Sequence, residues 1–194
     1  MQIKVESWHL GDIAVVVPEI FQDDRGFFME TFRVDQFAAL GLPTEFVQDN
    51  HSRSAKGVVR GLHFQWGPPM GKLMRVTAGS AFLVAVDIRK GSPTLGKWVG
   101  IEATAANRRA VWAPAGFARG FCALSEGTEI QYKCTGIYSS KAESGIRWND
   151  PEIGIHWPLT DVTVSDKDRG ARTLAEWLAS PESDNFQHST ENNG

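Results

Sequence analysis

Gly57-Val-Val-Arg-Gly-Leu-His-Phe-Gln65 is the stretch on which the reading of this chain turns. Val58, Val59, Leu62 and Phe64 are residues that suit a pleated, half-buried strand, and a turn, Gly67-Pro-Pro-Met-Gly71, follows at once. Working outward, β-rich runs recur at 13–17, 27–32, 44–48, 73–77, 81–88, 97–101, 109–112, 120–124 and 129–135. Turn clusters separate them at 23–26, 91–93, 114–116 and 149–151. Many short strands at this spacing predict an all-β fold, a β-sandwich or barrel. Helical pattern is confined to 34–40, ended by Gly41, and to 173–178, so the helices are short and peripheral.

The chain has 194 residues and a mass of 21.4 kDa, which suits a single all-β domain over 1–180. At this size roughly 70% of the unfolded chain's surface is buried on folding, enough for a core without staples. From Pro181 the sequence turns polar, and 181–194 is expected to be a disordered or loosely docked tail. Cys122 and Cys134 lack redox or zinc spacing. The start, Met1-Gln-Ile-Lys-Val-Glu6, does not read as a secretory signal, and no apolar run approaches the ~20 residues of a membrane span, so a cytoplasmic protein with no membrane partner is expected. A net charge of −3 with mixed signs gives no footprint for nucleic acid, whereas a few arginines in a pocket still suit a pyrophosphate.

Within 57–65, Arg60 and His63 are ionisable groups inside a strand, where burial without partners is costly. Their odd offset puts them on opposite faces of a regular strand. Gly61 allows a bulge, and one extra residue would bring both into one cavity. The alternative is an edge strand with Arg60 in water and His63 satisfied in the core. Lys72 opens the next run, where a hairpin would carry it toward His63, or it is simply solvated. The only two tyrosines stand in Glu129-Ile-Gln-Tyr-Lys-Cys-Thr-Gly-Ile-Tyr138, and an uninterrupted strand would point Tyr132 and Tyr138 to one face, as site groups or as core aromatics with hydroxyls at a rim. The other histidines read as structural or surface residues. His63 has no His-x-His partner and no nucleotide-binding glycine fingerprint occurs, so neither a metal nor a cofactor is expected.

The segments FQDDRGFFMETF, FVQDNHSRS, GVVRGLHFQ, GKLMRV, VAVDIRKGSPTLGKWVG, PAGFARGF, IQYKCTGIY and GIRWNDPEIGIHWP occur in this order. Together, across 21–168, they resemble the dTDP-4-dehydrorhamnose 3,5-epimerase family, cupin-like jelly rolls that act on sugar nucleotides. The resemblance implies a homodimer that exchanges N-terminal strands and a dTDP-linked 4-keto sugar as substrate. It implies His63 as base, Asp168 as the carboxylate orienting it, Tyr132 as proton donor and Lys72 as the cation facing the enolate. Tyr138 falls on the thymine-stacking position, and Arg25, Glu30, Gln48, Asp49, Asn50, Arg60, Glu143 and Lys167 on nucleotide or sugar contacts. The chemistry is consistent: a ketone acidifies the carbons beside it, so epimerisation needs a base on one side, an acid on the other and a cation at the oxygen.

Two positions depart from the family pattern. Arg119 replaces a histidine in PAGFARGF, and Leu83 replaces an aspartate in the preceding strand. A guanidinium is no base at neutral pH, though it can bind phosphate or the ketone. The joint change suggests that His63 and Tyr132 chemistry persists while substrate choice or the number of inverted centres has shifted. The alternatives are an epimerase of one centre only or a ketoisomerase on a related sugar, a non-catalytic sugar nucleotide binding module, and an iron oxygenase.

Overall fold

The computed structural model describes residues 1–188. Its strands are β1 (Ile3–His9), β2 (Ile13–Pro18), β3 (Ile20–Asp23), β4 (Gly26–Met29), β5 (Gln48–Ser54), β6 (Val58–Gln65), β7 (Lys72–Ala78), β8 (Ser80–Asp87), β9 (Trp98–Thr104), β10 (Ala110–Ala113), β11 (Phe117–Ala123), β12 (Thr128–Cys134), β13 (Glu143–Gly145) and β14 (Thr163–Val164). Three short helices, α1 (Val34–Ala39), α2 (Asp166–Arg169) and α3 (Leu174–Leu178), and a 3-10 turn (Pro181–Asn185) complete the order. One sheet runs β1-β2-β10-β7-β12-β5 and the other β13-β6-β11-β8-β9, with β14 parallel to β6. Facing each other, they make the cupin-like jelly roll. The β3–β4 hairpin pairs with neither sheet, and it leaves Phe21, Phe27 and Phe28 exposed.

Apolar side chains occupy three layers. Between the sheets lie Ile13, Val76, Leu83, Val111, Phe117, Phe121 and Ile130. The outer face of the second sheet is covered by α3 and the chain beyond it, through Leu62, Phe64, Val86, Ile88, Trp177 and Phe186. Helix α1 covers the outer face of the first sheet with Phe37, against Val16 and Trp112. A strand covered on both sides needs no polar alternation, which is why 81–88 reads as a nearly continuous apolar run. Helix α3 starts where the sequence says it does, because Thr173 and Glu176 form a reciprocal capping box.

Several expectations need correction. The run at 44–48 is not a strand, and β5 begins where that run ends. Strands β1, β3, β13 and β14 and helix α2 were not read from the sequence. The tail is not loose over 181–188: Phe186 is 4% exposed, its carbonyl accepts from the Lys90 N–H at 2.9 Å, and the His188 N–H donates to the Lys90 carbonyl at 2.9 Å. One buried phenyl ring and a short hydrogen-bonded pairing outweigh the polar composition. The remainder of that segment, 189–194, lies outside the described residues.

Candidate active site

The inward face of the sandwich changes character along its strands. From one end to the other, β7 presents Val76, Met74 and Lys72, while β12 presents Ile130, Tyr132 and Cys134, directly paired with β7. On the opposing sheet β11 presents Phe121 and then Arg119, whose register partner on β6 is His63. At the polar end these side chains line a cavity of about 230 Å³ with Ser52, Arg60, Lys72, Met74, Tyr132 and Glu143 among its walls. His63 and Tyr132 therefore share one cavity and approach it from opposite sheets.

The bulge at Gly61 is real. Between Phe121↔Arg60 and Arg119↔His63, β11 advances two positions and β6 three. Gly61 has φ +134°, and a Cβ there would lie 2.6 Å from Gly120 Cα, so glycines meet where the strands cross. The extra residue turns Arg60 and His63 to the same cavity. It also frees the Gly61 N–H, which donates to Asp168 Oδ2 at 3.1 Å.

Asp168 reaches this point through β14, which runs beside the start of β6, and through Ser165, which caps α2 by accepting from the Asp168 N–H. His63 Nε2 donates to Asp168 Oδ1 at 2.6 Å. Burial raises the Asp168 carboxyl, but the bonds from His63, Gly61 and Ser165 outweigh it and hold the group below its ordinary range. One imidazole nitrogen is thus held, which leaves the other as the proton acceptor.

Burial raises the Tyr132 phenol, keeping it protonated, and the Lys72 ammonium sits 5.1 Å from its ring centroid. Lys72 comes to the site across the sandwich, since β6 and β7 lie in different sheets and form no hairpin pair. Burial, reinforced by Arg119, lowers Lys72 to about 8.

At the mouth, Glu143 Oε2 accepts from Tyr138 Oη at 2.8 Å and from Lys167 Nζ at 2.6 Å. Burial opposes the Glu143 charge, yet these partners keep it below its ordinary range. Tyr138 lies beyond the end of β12, so its place owes nothing to strand alternation; the Gln48 side chain accepts from its N–H at 2.8 Å. Gln48 also donates to Asn50, which pairs with Tyr132 in register, and Arg60 Nε donates to Ser54 Oγ at the rim.

Three expected residues stand elsewhere. Asp49 points to the outer face, paired with Lys133 at 3.0 Å. Arg25 is on the exposed hairpin bonded to Asp23, and Glu30 follows that hairpin beside Arg33. Arg119 is in the cavity wall, but its guanidinium is turned to backbone: it donates to the carbonyls of Ala113 (2.9 Å), Pro114 (3.1 Å) and Met70 (2.7 Å). Its terminal nitrogens are taken up by the wall, while the buried Nε–H has no partner among the described residues.

Sequence reading missed Ser52, whose position between Asn50 and Ser54 on β5 would have revealed it, and Gln65. Gln65 is buried and clamps the mouth loop, donating to the Pro68 and Ile137 carbonyls and accepting from the Ser139 N–H. Among the described residues no group of His, Cys, Asp and Glu side chains has a metal-holding arrangement.

A jelly roll with a carboxylate-held imidazole on one wall of its cavity and a protonated phenol on the other has the groups of an acid–base site, and the relatives of the chain give the class: an isomerase of sugar nucleotides. The chain belongs to the dTDP-4-dehydrorhamnose 3,5-epimerase family, whose model matches residues 7–176. It is 53% identical over 168 residues to the dTDP-4-dehydrorhamnose 3,5-epimerase of Shigella flexneri, covering 86% of this chain and 93% of the relative. With the enzyme of that name from Pseudomonas aeruginosa the identity is 52% over 176 residues, covering 90% and 97%. The crystal structure of dTDP-6-deoxy-D-glucose-3,5-epimerase from Legionella pneumophila, in complex with dTDP-4-keto-L-rhamnose, superposes with a TM-score of 0.91 at 42% identity, covering 98% of this chain and all of that one.

Proposed function

We propose that this protein converts dTDP-4-dehydro-6-deoxyglucose to dTDP-4-dehydrorhamnose by inverting C3 and C5, without a cofactor. The observation that carries this reading is the placement of His63, fixed by Asp168, and Tyr132 on opposite walls of one cavity. His63 removes the proton beside the ketone, Lys72 meets the charge that develops on the C4 oxygen, and Tyr132 returns a proton from the other side. Tyr138 offers its exposed ring to the thymine, while Gln48, Asn50, Arg60, Glu143 and Lys167 contact the pyrophosphate and sugar. The exposed aromatic hairpin supports a homodimer in which each arm brings Arg25 and Glu30 to the partner's cavity. The catalytic domain takes in the docked segment to 188, since Phe186 belongs to its core, and the working compartment is the cytoplasm. No helix among the described residues is long and apolar enough to cross a membrane.

A second reading, inversion of one centre only, is favoured by Arg119, which stands where the resemblance puts a second histidine and cannot take a proton at neutral pH. Proton NMR in heavy water with dTDP-4-keto-6-deoxyglucose separates the two. Loss of both the C3 and C5 hydrogen signals is expected; retention of one establishes the second reading, and retention of both rejects epimerisation.

A further inference from the structure

Arg119 is 4% exposed, and its three hydrogen-bond partners are all neutral carbonyls. Burial lowers its guanidinium to about 10, which still leaves it charged at neutral pH. A buried charge without an opposite charge is costly, so its retention calls for a reason. One of its anchors, Met70, lies two residues before Lys72, and both cations border the same cavity. Neither has an ion-pair partner among the described residues.

We propose that Arg119 is a positioning residue that acts through Lys72, its immobile charge biasing the ammonium to hand a proton to the C4 oxygen as the enolate forms. The inference rests on the reaction proposed for this cavity. When His63 takes the proton from carbon, the C–H electron pair becomes the C=C bond and the carbonyl π pair moves to oxygen. Lys72 then passes one proton to that oxygen, leaving a neutral enol and a neutral amine. As Tyr132 protonates the carbon from the other side, the enol proton returns to Lys72 and the ketone reforms. His63 releases its proton to water and Tyr132 regains one from water, so nothing is oxidised or reduced.

The groups around Lys72 act in both directions. Burial, Arg119 on β11 and Lys167 on α2 disfavour the ammonium, whereas Cys134 on β12 and Glu143 on β13 favour it, and the balance is downward. Tyr132 on β12 and His63 and Arg60 on β6 share the cavity with it. A fixed cation at this place makes Lys72 a proton donor as well as a counter-charge.

The test follows hydrogen exchange at the sugar carbons from about pH 6 to about pH 10, together with labelling of Lys72 by an amine reagent over the same range. In the unaltered protein both should show a midpoint at about 8. In Arg119→Met the midpoint should rise by about one pH unit, and in Arg119→Lys, which keeps the charge, it should stay. Arg119→His serves if the methionine variant does not fold, because the resemblance puts histidine here and an imidazole is uncharged at this pH, so the same rise is expected. A labelling midpoint unmoved in the uncharged variants, or moved equally in Arg119→Lys, overturns the coupling. Labelling needs no turnover, so absence of exchange in the unaltered protein rejects the reaction while the coupling is still read.

Discussion

Asp168 is 105 residues from His63 in the chain and 2.6 Å from it in space. No spacing rule reaches that far, and only the resemblance joined the two. Read residue by residue, the sequence singles out His63, Lys72 and Tyr132 as local anomalies within runs of β-formers, but leaves each open between a site group and a core or solvated side chain. Arg119 shows the limit of such reading: its side-chain type suggested a ligand clamp, while its partners are carbonyls of its own wall. For Asp168→Asn we expect exchange at the sugar carbons to fall roughly 10²- to 10⁴-fold with nucleotide affinity retained, since the amide no longer favours a protonated imidazole. The same variant has a folding signature. The carboxyl is held below its ordinary value of 3.8, so its stabilisation is complete above that pH and is lost as pH falls through the folded value. Thermal melts on the acid side should therefore fall less steeply in Asp168→Asn than in the unaltered protein; parallel curves would contradict the geometry.

At the level of elements, the Gly61 bulge was legible because a glycine in a strand has few uses. Strand β5 was not, because its inward positions, Gln48, Asn50 and the cavity-lining Ser52, are all polar and carry no apolar alternation. Strands β13 and β14 span three and two residues, too short for any period to show. What holds β6 to β11 at the bulge is the contact of bare backbones, since a Cβ on Gly120 would lie 2.6 Å from the Arg60 carbonyl oxygen. Gly61→Ala should accordingly destabilise the protein by about 2–4 kcal/mol, from positive φ and overpacking together, and should misplace His63. Urea unfolding measures the first effect and deuterium exchange the second. A variant with unchanged midpoint and activity would show that the strands can separate at that crossing.

Across the whole molecule, the layered β architecture was evident from the rhythm of runs and turns, whereas the docking of 181–188 was hidden behind a polar composition that one phenylalanine overrides. The arm is the other feature of this scale. Arg25 has 91% of its side chain exposed and lies on a hairpin that belongs to neither sheet, so a lone chain has an incomplete site if the proposed exchange holds. Arg25→Ala and His63→Ala should each be inactive alone. Mixed under conditions that let protomers reassort, they should regain part of the activity, because one cavity of each mixed dimer receives an intact arm and an intact imidazole. No recovery, with dimers shown to exchange, would place Arg25 in its own chain's site or outside catalysis.

The change from hydrocarbon to ionisable groups along each inward strand has an evolutionary corollary. Ile130 and Val76 fix how the two sheets mesh at the hydrocarbon end, and Phe121 packs with them while its other side borders the cavity. Replacements at the cavity end can thus accumulate while the register of the barrel stays anchored by the hydrocarbon end.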